Sequence, residues 1–350
     1  MTRWTPEKAN SWYADQPMLV GCNFIPSNAI NQLEMWQAET FDPETIDREL
    51  GWAADIGMNS VRVYLHNLLW TQDAEGFKER IARFLAIADR HGISTLLTFF
   101  DDCWHDGAQL GKQPALIQGV HNSRWVRSPG SQILNDKAQW HSLKAYVQDI
   151  LQTFGQDQRV VMWDLYNEVG NQYLPTLATN GILKPPKLSW LRFRQRFLPS
   201  ASLELLKVCF AWAWKVRPSQ PLTSSIWFAD SRLNSYLLDT DDVITFHNYK
   251  PLDDLKAQIA LLKSFGRPVI CTEWMARTQH SLIQTHFPVF QQSKVGCYGW
   301  GLVNGKTQTI YMWREPMRDG GVPNVWFHDL LHADGRPYDT QEVEILQQLK

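Results

Sequence analysis

Little in this chain points to a membrane, a nucleic acid or a disulfide scaffold. No apolar run in its 350 residues is long enough to span a bilayer. Residues 1–17 are polar and aromatic and lack the apolar stretch of a signal peptide, so a cytoplasmic location is expected. The formal net charge is only -2, with 34 basic and 36 acidic residues spread along the chain, which leaves no basic surface for nucleic acid or for an acidic membrane. Cysteine is scarce and odd in number, at five, with no Cys-x-x-Cys pair. Cys22, Cys271 and Cys297 fall in apolar strand-like runs and read as small buried thiols. No Gly-x-Gly-x-x-Gly follows the first apolar run and no Walker loop occurs, which counts against nucleotide-binding folds.

What the chain has in excess is tryptophan: 17 residues, several of them in loop-like segments. A flat indole with one N–H serves core packing and also stacks on the C–H face of a sugar ring. Eight short apolar runs alternate with amphipathic helical stretches. The runs cover residues 19–24, 60–65, 94–100, 160–166, 222–226, 243–247, 269–272 and 296–300. Such runs fit strands covered on both faces of a parallel sheet. Between them, Asp42-Pro43 starts a helix whose Ile46, Leu50 and Ala53 share one face, and Gly57 ends it. Comparable stripes stop at Gly92, Gly155 and Gly266. Eight β/α repeats in a chain of this length predict one (β/α)₈ barrel over residues 1–350, an α/β TIM barrel, with an open doubly wound sheet as the runner-up.

No linker divides the chain. Its long irregular stretches, 101–135, 171–188 and 304–340, each follow a strand's C-terminal end, as does the shorter segment 26–37. On a barrel that end carries the chemistry, so these loops are expected to wall a pocket. They would bring Glu34, Trp36, Trp104, His105, Trp125, Trp313 and Trp326 toward the mouth. Of these, Glu34, Trp36, Trp104 and His105 are candidate substrate contacts. A pocket closed at one end would take a terminal sugar and act from the chain end.

The fourth run ends in Asn167-Glu168 and the seventh in Glu273-Trp274, so each puts a carboxylate where a buried strand emerges. Strands 4 and 7 of a barrel lie nearly opposite one another. Cleaving a glycosidic bond needs two such groups, one to protonate the leaving oxygen and one to attack the anomeric carbon. Asn-Glu ending strand 4 and Glu ending strand 7 resemble the clan of retaining barrel glycosidases that includes glycoside hydrolase families 5 and 2. The resemblance spans residues 21–300. It implies that Glu168 is the acid/base, Glu273 the nucleophile and Arg62 the arginine that holds it. It further implies that Asn167 contacts the sugar 2-hydroxyl, that His247 and Tyr249 form the strand-6 pair, and that Trp300 floors the sugar subsite, turned by a cis bond to Gly301. A retaining glycosidase of β-linked sugars is the function this implies, with a carbohydrate as partner and neither cofactor nor metal. Burial and the nearby Glu273 would raise the pKa of Glu168. The segment Asp101-Asp102-Cys103-Trp104-His105 departs from family 5, and residues 26–37 match nothing in it, so the chain fits a cellulase-like relative rather than family 5 proper.

Two other classes stay open. Asp101, Asp102, His105 and His121 would form a metal cluster in a metal-dependent barrel hydrolase, though their spacing fits no known motif. A noncatalytic sugar-binding barrel would use the same tryptophans. Among sugars, β-glucoside, β-galactoside, β-mannoside and xyloside all fit. Lys306 and Arg314, after strand 8, are charges that would meet an acidic sugar.

Overall fold

The computed structural model describes residues 3–171, 200–313, 315–317 and 319–348. Eight strands run in chain order: β1 (Val20–Asn23), β2 (Ser60–Tyr64), β3 (Ser94–Thr98), β4 (Val160–Asp164), β5 (Leu222–Thr223), β6 (Ile244–Asn248), β7 (Val269–Trp274) and β8 (Gly296–Trp300). All are paired in parallel, in the order β5-β4-β3-β2-β1-β8-β7-β6. The circle closes between β5 and β6 through a parallel bridge from Ile226 to Phe246, with Ile226 N–H donating to the Thr245 carbonyl and His247 N–H to the Ile226 carbonyl. The expected (β/α)₈ barrel is therefore the fold. The run at 222–226 is shorter as a ladder than expected, Leu222–Thr223 only, and beyond it the hydroxyls of Ser224 and Ser225 bond to the Tyr166 carbonyl and the Thr272 hydroxyl.

The helices start and stop where the chain supplies caps. In the helix Pro43–Asp55, the Asp42 carboxylate accepts from the Glu44 and Thr45 amides, and Ile46, Leu50 and Ala53 are buried. Gly57 follows at φ 96°, where a side chain would be strained and would strike the Leu346 carbonyl. Ala74–Arg90 repeats the plan, with the Asp73 carboxylate accepting from the Gly76 amide, whereas Trp140–Phe154 and Leu252–Lys263 have no side-chain cap; all three bury apolar residues. No helix among the described residues is long and apolar enough to cross a membrane.

The barrel interior is layered. Leu19, Leu96, Val161, Met162, Val243, Ile270 and Tyr298 pack together, and Trp12 and Tyr13 of the helix Pro6–Ala14 lie against them. Buried polar side chains make up the rest of the lumen: Thr223 with Thr245, Ser225 with Thr272, and Arg62 with Asp164. At the C-terminal ends of the strands the lumen opens into a cavity. All five cysteines are buried and free.

Candidate active site

The strand ends set the site. β7 is buried along its whole length, so its period-two alternation aims Glu273 inward while Trp274 packs outward on Phe290. Glu168 follows β4 and takes a left-handed backbone, φ 46°, which turns its side chain over the lumen. His247 ends β6. Its Nδ1 lies 2.9 Å from Glu168 Oε1 and 3.5 Å from Glu273 Oε2. One oxygen of each glutamate and this nitrogen all lie within 4.8 Å of one another.

Arg62, wholly buried on β2, holds the floor together. Nη1 donates to Glu273 Oε1 at 2.8 Å and to Asn23 Oδ1 at 2.7 Å; Nη2 donates to Asp164 Oδ2 at 2.6 Å and to Asn167 Oδ1 at 2.7 Å. Burial by itself would lower the guanidinium pKa, but the surrounding acidic groups outweigh it and hold the pKa above the ordinary value. Glu273 also accepts from the hydroxyls of Tyr64 and Tyr249, each at 2.9 Å. Burial first, then the two glutamates, raises the Tyr249 pKa well above its ordinary value, so that this hydroxyl keeps its proton and donates. The Asn167 amide is fixed from its other side by Asp101 at 2.9 Å.

Glu168 has a different surrounding. Oε1 faces His247, while Oε2 accepts from the Cys103 thiol at 3.2 Å and from the Asn171 amide. Burial raises its pKa, as the sequence led one to expect, but the hydrogen bond and charge of His247, with the bonds from Cys103 and Asn171, lower it by more. The net direction is downward, a correction to the expected rise: an imidazole and two donors within bonding distance outweigh desolvation when the side chain is 14% exposed.

The cavity, about 310 Å³, is lined by both glutamates, Asn167, His247, Tyr249 and Trp300, and by Trp104 and Trp313 of the loops expected at the mouth. Trp300 is 9% exposed and meets Tyr64 and Trp125 edge-on. Its bond to Gly301 is trans; Ser128-Pro129 is the cis bond found among the described residues, so the cis linkage expected after Trp300 is not present. Gly301 supplies the turn instead at φ 78°, in a place where a Cβ would strike the Asp329 carboxylate. Trp104 stacks on His121 at 5.2 Å, and Trp313 stands edge-on to Tyr249 at 4.8 Å.

Three expected contacts do not reach the cavity. Trp36 is fully buried in the outer core, stacked on Phe41 and edge-on to Phe77 and Phe84, with its N–H on the Tyr64 carbonyl. The helix Gln32–Trp36, capped by Asn31, folds the loop inward against the barrel wall and takes the indole with it. Glu34, on the same helix, accepts from the Ile30 amide and pairs with Lys306 at 2.8 Å, which also occupies the cation thought to meet an acidic sugar. His105 lies beside Trp104 but outside the lining, bridged to Val126. Of the other tryptophans, Trp125 is buried behind Trp300 with its N–H on Asp101, and Trp326 stacks on Tyr338. Arg314 and the loop from residue 172 to 188 lie outside the described residues.

The proposed metal cluster does not assemble. Asp101 accepts from Trp125 and Asn167, Asp102 from Tyr166 and Gly170, and His121 Nδ1 bonds to the Tyr311 carbonyl. The group with metal-like spacing among the described residues is Glu168, His247 and Glu273, and the Arg62 cation already sits against it. Sequence reading missed Asn23, Tyr64, Asp164, Cys103, Asn122 and Asn171. Alternation along β1, β2 and β4 could have found Asn23, Tyr64 and Asp164, which share the inward face with the residues named; the loop residues left no such signal.

No sequence family and no curated protein matches the chain. Solved structures do. One is a GH5_18 variant from Streptomyces cattleya in complex with Manβ1-4GlcNAc, with a TM-score of 0.60 at 13% identity, over 95% of this chain and 80% of that one. Another is an exo-β-1,4-mannosidase from Opitutaceae bacterium strain TAV5, with a TM-score of 0.55 at 16% identity, over 95% of this chain and 59% of that one. A third is a hyperthermostable endo-1,4-β-D-mannanase from Thermotoga petrophila, with a TM-score of 0.56 at 14% identity, over 95% of this chain and 99% of that one. The chain thus has the (β/α)₈ barrel fold found in these glycoside hydrolases.

Proposed function

We propose that this protein is a retaining glycosidase of β-linked sugars, with Glu273 as nucleophile and Glu168 as acid/base. The observation that carries the reading is that the two carboxylates face one cavity, with one oxygen of each within 4.8 Å of the other, a closest approach that fits the shorter of two known spacings. Retaining enzymes hold the pair about 5–5.5 Å apart, whereas inversion needs about 6.5 Å or more to admit a water. Glu273 attacks the anomeric carbon and forms a glycosyl-enzyme, while Glu168, which must first take up a proton against the downward pull of His247, gives that proton to the departing oxygen. Water then enters, Glu168 takes its proton, and the sugar leaves with its configuration retained. Arg62, Tyr64 and Tyr249 aim the Glu273 oxygens. Asn167, fixed between Arg62 and Asp101, faces the sugar 2-hydroxyl, and Trp300 packs beneath the ring. Trp104 and Trp313 both line the cavity, and bulky rings there suit a pocket for one terminal sugar and action from the chain end.

A panel of nitrophenyl β-glycosides assayed with EDTA tests the class. Turnover is expected to survive the chelator, and inactivity on every glycoside, or loss with EDTA, counts against it. Glu168→Gln should slow substrates with poor leaving groups far more than activated aryl glycosides. Equal losses on both would remove Glu168 from the acid role. Monosaccharide alone from a defined oligosaccharide, from the first time point, supports the pocket; early mid-length products rule it out.

A further inference from the structure

Asn122 is a buried amide whose Nδ2 and Oδ1 both lack a hydrogen-bond partner among the described residues. It is also one of the residues lining the cavity that holds Glu168 and Glu273. A narrower recess opens behind Trp300, and Asn122 lines that too, opposite Asp329, whose Oδ2 is likewise unpartnered. Burying both ends of an amide without partners costs free energy that ordinary packing does not return.

The backbone shows that this placement is built. Asn122 N–H donates to the Thr307 carbonyl at 2.8 Å, and its own carbonyl accepts from the Trp125 amide at 3.1 Å. The loop after β3 is thereby tied to the loop after β8 at this residue. The next residue back, His121, is fixed by the Tyr311 carbonyl and by stacking on Trp104. Asn122 itself sits at φ 46°, a left-handed conformation that asparagine tolerates better than most residues. The backbone of Asn122 is thus held at the wall between the cavity and the recess by two loops, beside a stacked ring.

An amide offers a donor and an acceptor side by side, which matches two adjacent hydroxyls, one accepting and one donating. We propose that Asn122 is a specificity-determining residue that reads a vicinal diol of the sugar seated on Trp300. The proposal rests on the glycosidase reading for the ligand being a sugar. It assigns to the site a neutral, polyhydroxylated ring whose diol faces the loop after β3, on the side of the cavity bounded by Trp104 and Trp300.

The test uses the full chain, wild type and two variants. Asn122→Gly removes the amide and suits φ 46°; Asn122→Asp keeps the shape and loses the donor, and carries the test if the glycine variant does not fold. Glucose, mannose, galactose and xylose are titrated against tryptophan fluorescence, since Trp104, Trp300 and Trp313 line the cavity. For the tightest sugar, Asn122→Gly should raise Kd about tenfold or more. A deoxy form of that sugar lacking one hydroxyl of the diol should bind the wild type as weakly, and should lose nothing further in Asn122→Gly. An unchanged Kd in both variants, or no binding of any of the four sugars by the wild type, overturns the proposal. Hydrolysis of nitrophenyl glycosides reports on the catalytic reading separately. Sugar bound through Asn122 without cleavage leaves this inference standing and removes that reading; cleavage with Kd unaltered in the variants does the reverse.

Discussion

His247 Nδ1 lies 2.9 Å from Oε1 of Glu168, and this contact, with the bonds from Cys103 and Asn171, opposes the burial that would otherwise raise the proton affinity of that carboxyl. Removing it with His247→Ala should let the Glu168 pKa rise, because burial, which raises it, would then face weaker opposition. The alkaline limb of the kcat/KM profile, which tracks loss of the Glu168 proton, should move to higher pH. An alkaline limb that stays in place would show that the imidazole does not govern this group. The stability of the wild type carries the opposite sign. A carboxylate whose folded pKa is depressed contributes stability above its ordinary titration range, and that contribution is lost as pH falls through the folded value.

Arg62 bonds at once to Glu273, Asp164, Asn23 and Asn167, all of them buried. Arg62→Met should destabilise the fold by about 3–5 kcal/mol, since it strands two buried carboxylates without their cation. A denaturant titration checks this. A loss below about 1 kcal/mol would mean that the guanidinium serves the site but not the barrel.

Glu49 offers a pH signature far from the cavity. It is fully buried on the helix Pro43–Asp55, and its carboxyl accepts from the Ser27 amide and hydroxyl. Burial pushes its pKa up to about 7, against the lowering effect of those bonds. A raised folded pKa gives stability that is fully present below the ordinary carboxylate value and is lost as pH rises through about 7. Glu49→Gln keeps the shape and a donor–acceptor pair for Ser27. Its stability should fall less than the wild type's between about pH 4 and 7, by an amount on the order of 3 kcal/mol. Parallel stability curves for the two proteins would remove Glu49 as the source.

Trp36 and Trp313 should separate packing from binding. Trp36 is sealed among Phe41, Phe77 and Phe84, so Trp36→Ala should cost about 3–5 kcal/mol of stability. Trp313 is partly exposed on the cavity, so Trp313→Ala should leave the thermal midpoint close to wild type and raise KM. A KM unchanged in Trp313→Ala would take this ring out of the sugar site.

The barrel was legible in the sequence because strand and helix periodicities are local. Runs such as Val269-Ile270-Cys271 fit a strand covered on both faces of a parallel sheet, and Asp42-Pro43 and Gly57 mark one helix by backbone chemistry alone. Glu168 and Glu273 were legible as carboxylates where buried strands emerge, and Arg62, Asn167, His247, Tyr249 and Trp300 through the resemblance to the barrel glycosidases; each sits on a strand or just past its end, so register fixes its direction. The loops were not. Trp36 and Trp313 look alike in sequence, yet one is folded into the outer core by the helix Gln32–Trp36 and the other faces the cavity. Glu34 met Lys306 across 272 residues, a pairing that no local pattern encodes. The sequence by itself determined which side chains the strands would aim into the barrel. Only the tertiary structure decided which loop residues joined them, and whether burial or a neighbouring donor would prevail at Glu168, because those outcomes depend on contacts between segments far apart in the chain.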